Sequence, residues 1–141
     1  MSYDLHLYRK DGSKEPLTEN EIKTKLSPTF KYIKVDSTNG LADEFDVAYE
    51  NERDLTEFHY QGEERGYYWT YCSYGVNENI FTDFKKVVND VALKLDLRIF
   101  DPQTDKNPQE TKPFNSEGQQ SGEIFNLGKK SMQEFAARSA W

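Results

Sequence analysis

Residues 66–103 constrain the fold of this chain more than any other stretch. They open on an aromatic run, Tyr67-Tyr68-Trp69-Thr70-Tyr71-Cys72-Ser73-Tyr74, held between Gly66 and Gly75. Glycine is poor inside regular structure, whereas aromatic and β-branched residues fit a pleated surface. Side chains alternate along a strand, so Tyr67, Trp69 and Tyr71 share one face. Tyr68, Thr70, Cys72 and Tyr74 share the other. Bulk on both faces predicts a central strand, covered on both sides for part of its length. A sharper reading is also open, in which one aromatic row lies at a partner-binding surface, where Tyr and Trp are enriched.

The run is followed by Phe81, Phe84, Val88, Val91 and Leu95 at three- and four-residue steps. That spacing predicts a helix with one apolar face, with Lys85, Asn89 and Asp96 off the stripe. Asn79 or Thr82 is the expected cap. Residues 97–100 read as a short strand that Pro102 stops. Trp69 and Phe84 are expected in the core, where the helix stripe meets the sheet.

The preceding chain supplies further strands. Tyr3, Leu5 and Leu7 alternate with Asp4, His6 and Tyr8, which predicts a first strand. Asp11-Gly12 marks a turn. Thr18-Glu19-Asn20-Glu21 is a capping box opening a short helix to about Leu26, which Ser27-Pro28 ends. Residues 30–35 read as a strand. Residues 36–40 end on Asn-Gly, a hairpin signal. Residues 45–49 read as a strand with Phe45, Val47 and Tyr49 on one face, or else 41–50 is an acidic loop. Residues 55–60 read as another strand, with Phe58 and Tyr60 opposite His59, and 62–66 connect it to the aromatic run. The expected fold is a single α+β domain over 1–103, with a mainly antiparallel sheet of about five to six strands and helices packed on it. Residues 104–122, with Pro108 and Pro113, read as a long mobile loop. Residues 123–141 read as a C-terminal helix that docks on the core or on a partner. No internal repeat is present.

A length of 141 residues suits one domain. Only 35% of the residues are hydrophobic but 14% are aromatic, so rings must fill much of the core. No apolar run approaches the ~18 residues of a membrane span. The start, Met1-Ser2-Tyr3-Asp4-Leu5, lacks a basic region followed by an apolar one, and Cys72 is the only cysteine. Both point to a cytoplasmic, reducing location without a membrane partner. Cys72 is expected to pack rather than react. His6 and His59 lie on predicted strands without partners at recognised ligand spacings, so no metal or cofactor is expected. No nucleophile elbow or phosphate-binding glycine loop is present. The pairs Glu50/Glu52 and Glu63/Glu64 look solvent-exposed, which leaves nothing to tune a catalytic pKa.

Charge is the remaining signal. Between Asp43 and Glu64 stand nine acids against one base, Arg53, a formal −8 within a chain whose total is −7. The sign argues against nucleic acid. A concentrated acidic segment steers a basic protein partner, or simply solvates a sheet edge.

At Tyr68-Trp69-Thr70-Tyr71-Cys72-Ser73-Tyr74-Gly75, residues 81–95 and Ile99-Phe100-Asp101-Pro102-Gln103, the chain resembles a group of small bacterial proteins. In them an aromatic strand ends in Ser-Tyr-Gly, an amphipathic helix follows, and a further strand ends in Asp-Pro-Gln. Several resemble immunity proteins encoded beside polymorphic or contact-dependent toxins. The opening Met-Ser-Tyr-Asp-Leu is similar to starts in the same group. The resemblance covers residues 1–103, and residues 104–141 have no counterpart in it. It implies function by binding, not catalysis: occlusion of a toxin domain. The acidic segment would then supply the contacts, with Asp46, Glu50, Glu52, Asp54, Glu57, Glu63 and Glu64 facing outward and Tyr49 and Tyr60 as flanking anchors. Two other readings stay open. One is an enzyme using carboxylates and tyrosines in a cleft; the other is a scaffold module that binds a peptide at a sheet edge.

Overall fold

A computed structural model of the chain describes residues 2–50 and 55–103, together with Lys130. The expected loop at 104–122 and helix at 123–141 therefore lie outside the described residues. In order, the elements are β1 (Ser2–Arg9), α1 (Glu19–Leu26), β2 (Tyr32–Thr38), β3 (Leu41–Ala48), β4 (Thr56–Tyr60), β5 (Tyr67–Ser73), α2 (Glu78–Leu95) and β6 (Leu97–Phe100). The six strands form one sheet in the order β2-β3-β4-β5-β1-β6, and every pairing is antiparallel. This is the expected α+β architecture. Residues 41–48 are strand, not an acidic loop.

Local chemistry explains the connections. Asn39 and Gly40 form a two-residue loop between the paired Thr38 and Leu41, both with positive φ (54° and 78°). A hairpin of this length needs that backbone, and Asn-Gly adopts it at least cost. Thr18 caps α1: its Oγ1 accepts from the Glu21 N–H at 3.1 Å, while Glu21 accepts from the Thr18 N–H at 3.2 Å. The cap of α2 is Asn77, whose Oδ1 accepts from the Ile80 N–H at 3.0 Å, and not Asn79 or Thr82. Starting there places Glu78 in the first turn, where the helix dipole favours an acid. Asp96 ends α2 in the left-handed region, φ 57°, which turns the chain straight into β6. A short polar side chain tolerates that conformation.

The core lies between one face of the sheet and the two helices. Tyr3, Leu5 and Leu7 of β1, Phe45 and Val47 of β3, Phe58 of β4, and Tyr68 and Cys72 of β5 are buried there. They meet Ile22 and Leu26 of α1 and Phe81, Phe84, Val88, Val91 and Leu95 of α2. Phe45 stacks on Phe58 with ring centres 4.7 Å apart, and Tyr68 meets Phe45 edge-on. Lys85, expected off the stripe, is buried with its ammonium 4.8 Å from the centre of the Phe81 ring. Its long stem packs as an apolar side chain would.

β5 and β6 run in the same direction with β1 antiparallel between them, so β5–α2–β6 is a crossover whose slot β1 fills. The Asp101-Pro102-Gln103 segment fastens that slot. The Gln103 side chain donates from Nε2 to the Asp4 carbonyl (2.8 Å) and accepts at Oε1 from the Asp4 N–H (3.0 Å). Buried Asp101 accepts from the Tyr3 hydroxyl and, through Oδ1, from the Gln103 N–H (2.9 Å). Gln103 thus acts as an extra ladder residue beside β1. The motif has a structural role here.

Candidate functional site

Among the described residues, no helix covers the second face of the sheet. Register builds a continuous row across it. Asp36 of β2 stands opposite Glu44 of β3, Glu44 opposite His59 of β4, His59 opposite Trp69 of β5, Trp69 opposite His6 of β1, and His6 opposite Phe100 of β6. Directly opposed residues point to the same side, so this row shares one surface. A second row runs through Lys34, Asp46 and Glu57, with Asp4 opposite Tyr71 further along.

The two ends of the surface differ. Over β5, β1 and β6 it is aromatic. His6 stacks on Tyr67 with ring centres 4.1 Å apart and planes 12° from parallel. Trp69 stacks on Tyr71 at 4.6 Å, and its Nε1 donates to Asp4 Oδ1 at 3.1 Å. The Arg98 guanidinium lies 4.7 Å from the centre of the Tyr8 ring. Burial among these rings holds the His6 pKa below its ordinary value, against the pull of Asp4 in the other direction. Neutral imidazole is the form that stacks there. Trp69 is half-buried within this layer of rings, and only Phe84 of the expected pair lies in the helix-covered core. The aromatic strand is central, and among the described residues helices cover one of its faces.

Over β2, β3 and β4 the surface is acidic. Glu44 and Asp46 on β3 face His59 and Glu57 on β4, a square of four polar side chains. His59 Nδ1 lies 3.7 Å from Glu44 Oε2, and the His59 ring lies 5.6 Å from that of Trp69, which joins the acidic end to the aromatic one. Glu44, Glu57 and His59 each bring one donor atom within 4.8 Å of the others. Asp46 is only 8% exposed, and its Oδ1 has no hydrogen-bond partner. Burial, then the charges of Glu44 and Glu57, push its pKa up; Lys34 pulls it down.

The structure distributes the expected contact residues unevenly. Asp46 and Glu57 lie on the open face, although Asp46 is buried among its neighbours and does not project into solvent. Tyr49 and Tyr60 pack on the helix-covered side. Tyr49 stacks on Phe30 and donates to Asp90 of α2, and the Tyr60 hydroxyl donates to the Lys14 carbonyl at 2.7 Å. Neither stands beside Asp46 and Glu57 as an anchor, because odd and even positions of a strand face opposite ways. Glu50, two residues beyond β3, forms an ion pair with Lys31, 2.8 Å. Glu63 and Glu64 are exposed in the β4–β5 turn, and Glu52 and Asp54 lie outside the described residues. Sequence reasoning passed over Glu44, His6 and His59. The signal for one pair was present: Glu57 and His59 are two apart on a strand and so share a face.

A cavity of about 310 Å³ opens elsewhere, between α2 and the ends of β4 and β5, lined by Leu55, Cys72, Val76, Ile80, Phe84 and Val87 among others. Burial pushes the Cys72 thiol up to about 12, so it is a packed, protonated side chain at that wall. Fold and surface together define a small α+β protein in which, among the described residues, helices cover one face of the sheet and the other carries rings at one end and carboxylates at the other. Compared with protein-family models, curated proteins and solved structures, the chain matches none of them.

Proposed function

We propose that this protein acts by binding a basic protein partner on the open face of its sheet, and that it is an immunity protein neutralising a bacterial toxin domain. The observation that carries the binding reading is the row Asp36–Glu44–His59–Trp69–His6–Phe100. An ordinary solvated sheet face has no need of Trp, His and Phe in register. Half-buried rings beside carboxylates are what an interface anchors on, since aromatic residues supply the apolar contact and charges steer approach. The acidic half favours a partner that is basic where it docks. The toxin reading rests on the resemblance of residues 1–103 to immunity proteins. On this reading the expected contacts narrow from the whole 43–64 segment to its accessible open-face members, Glu44, Glu57 and His59, joined by Trp69.

The test is to read the neighbouring genes for a toxic domain and to co-express the chain with it. The intact chain should protect cells, and the purified pair should associate more slowly as salt rises. Trp69→Ala should weaken the complex through faster dissociation. Glu44→Gln with Glu57→Gln should slow association. No protection by the intact chain would dismiss the toxin reading. A complex indifferent to all three substitutions would dismiss the open face as its seat.

A further inference from the structure

We propose that Glu44, Glu57 and His59 form a zinc site on the open face, with Asp46 as the carboxylate behind it. It uses the carboxylates that the binding reading assigns to a basic partner, so zinc and that partner would compete for them, and titration with zinc alone tests the site apart from the partner. Two strands build the site. Glu57 and His59 are alternate residues of β4, and Glu44 is paired directly with His59 from β3. Their donor atoms lie within 4.8 Å of one another, and the Glu44 Oε2 to His59 Nδ1 separation is 3.7 Å. That separation is too long for a hydrogen bond. Two ligands on a tetrahedral zinc, each about 2.0–2.1 Å from the metal, stand about 3.4 Å apart. Small side-chain rotations close the difference. Three protein ligands leave a fourth position for solvent.

The second observation is Asp46. It stands opposite Glu57 across the β3–β4 ladder and two residues from Glu44 on the same face. It is more than nine-tenths buried, with Oδ1 lacking any partner. A buried carboxylate oxygen without a donor is costly, and here it adjoins two further carboxylates. Lys34, opposite Asp46, is the cation facing it from β2. Zinc between Glu44, Glu57 and His59 would cancel the charge of both glutamates. It would also relieve the repulsion on Asp46, which would then support the site from behind by its charge. An imidazole among three ligands selects zinc over magnesium or calcium, which demand six or more oxygen donors.

The experiment is calorimetric titration of zinc chloride into chelator-treated full-length protein, with magnesium chloride as the parallel arm. The expected result is one saturable zinc equivalent, none for magnesium, and a raised melting temperature with zinc. His59→Gln and Glu44→Gln should each weaken zinc binding by roughly tenfold or more, and Asp46→Asn by about tenfold. His6→Gln should leave it unchanged. Nuclear magnetic resonance gives a readout without substitutions: zinc should shift the His59 ring signals and spare those of His6. No saturable zinc binding up to about 1 mM would overturn the proposal. So would unchanged affinity in the Glu44→Gln/His59→Gln double variant, or zinc shifts confined to His6.

Discussion

Tyr68→Phe removes one oxygen and tests how the sheet is tied to the segment before α1. The hydroxyl sits in the core, with Tyr68 only 3% exposed. It donates to the Ala42 carbonyl at 2.7 Å and accepts from the Leu17 N–H at 2.9 Å. Leu17 and Ala42 are themselves fully buried, and a third bond joins the Ala42 N–H to the Leu17 carbonyl at 2.8 Å. Phenol oxygen thus bridges β5, β3 and the loop that leads into α1, and burial raises its pKa far above the ordinary value. Phenylalanine preserves the ring contact with Phe45 but leaves the Leu17 N–H without an acceptor and the Ala42 carbonyl without the phenol. Two net hydrogen bonds at about 1 kcal/mol each, plus the penalty of about 1–3 kcal/mol for an orphaned buried N–H, give a loss of about 3–5 kcal/mol. For a domain of this size that lowers the melting temperature by roughly 10 °C. Urea unfolding followed by tryptophan fluorescence should show a lower midpoint with an unchanged slope. Tyr60→Phe is the control. Its hydroxyl also binds a carbonyl, that of Lys14, but at the surface, where water replaces it, so the loss should stay below about 1 kcal/mol. Equal, small losses at both positions would refute the bridging argument.

Three further outcomes are expected. Thr70 is fully buried and its Oγ1 has no hydrogen-bond partner, so Thr70→Val should leave stability unchanged or raise it by up to about 1 kcal/mol; a clear loss in urea unfolding would expose a missed partner. Cys72, buried and with its thiol pushed up to about 12, should resist iodoacetamide in the native protein and react only as fast as the chain opens, so labelling that outpaces unfolding would contradict its packing. His6 has its pKa lowered by burial, so the folded state prefers neutral imidazole: its contribution is intact above the ordinary value near 6.5 and is lost as pH falls below it, because the unfolded chain takes up the proton first. The fall in urea midpoint from neutral to mildly acidic pH should therefore shrink in His6→Gln, and an equal fall in both proteins would remove His6 from the cause.

Much of the fold was legible because its signals are local. The Thr18/Glu21 capping box, the Asn39-Gly40 hairpin and the stripe of α2 each lie within a few residues of chain, and each appears where the spacing puts it. Element ends were less legible. The stripe suggested Asn79 or Thr82 as the α2 cap, whereas the cap is Asn77, because the start of the helix depends on where the chain leaves β5. Burial of Lys85 was invisible to a polar-versus-apolar pattern because its stem is apolar while its tip is charged. The Trp69 expectation failed for another reason. Alternation assigns Trp69 and Tyr68 to opposite faces, but only packing says which face the helices take.

The candidate site was hard to read because it is a product of register. Counting acids over 43–64 finds a charged segment, yet the segment folds into two antiparallel strands and a turn, so its members are split between faces and ends. Glu57 and Asp46 meet because Phe45 pairs with Phe58, and that pairing is set by the buried rings on the opposite face. A shift of one residue between β3 and β4 would send Glu44 and Asp46 to the helices and bring Phe45 and Val47 to the open side. The apolar core thus fixes the acidic square without touching it. His59 shows the same dependence: its neighbours Phe58 and Tyr60 lie on the covered side, which leaves its imidazole facing Glu44 and Trp69. A change that loosened the Phe45–Phe58 stack would therefore disperse the square before it unfolded the domain.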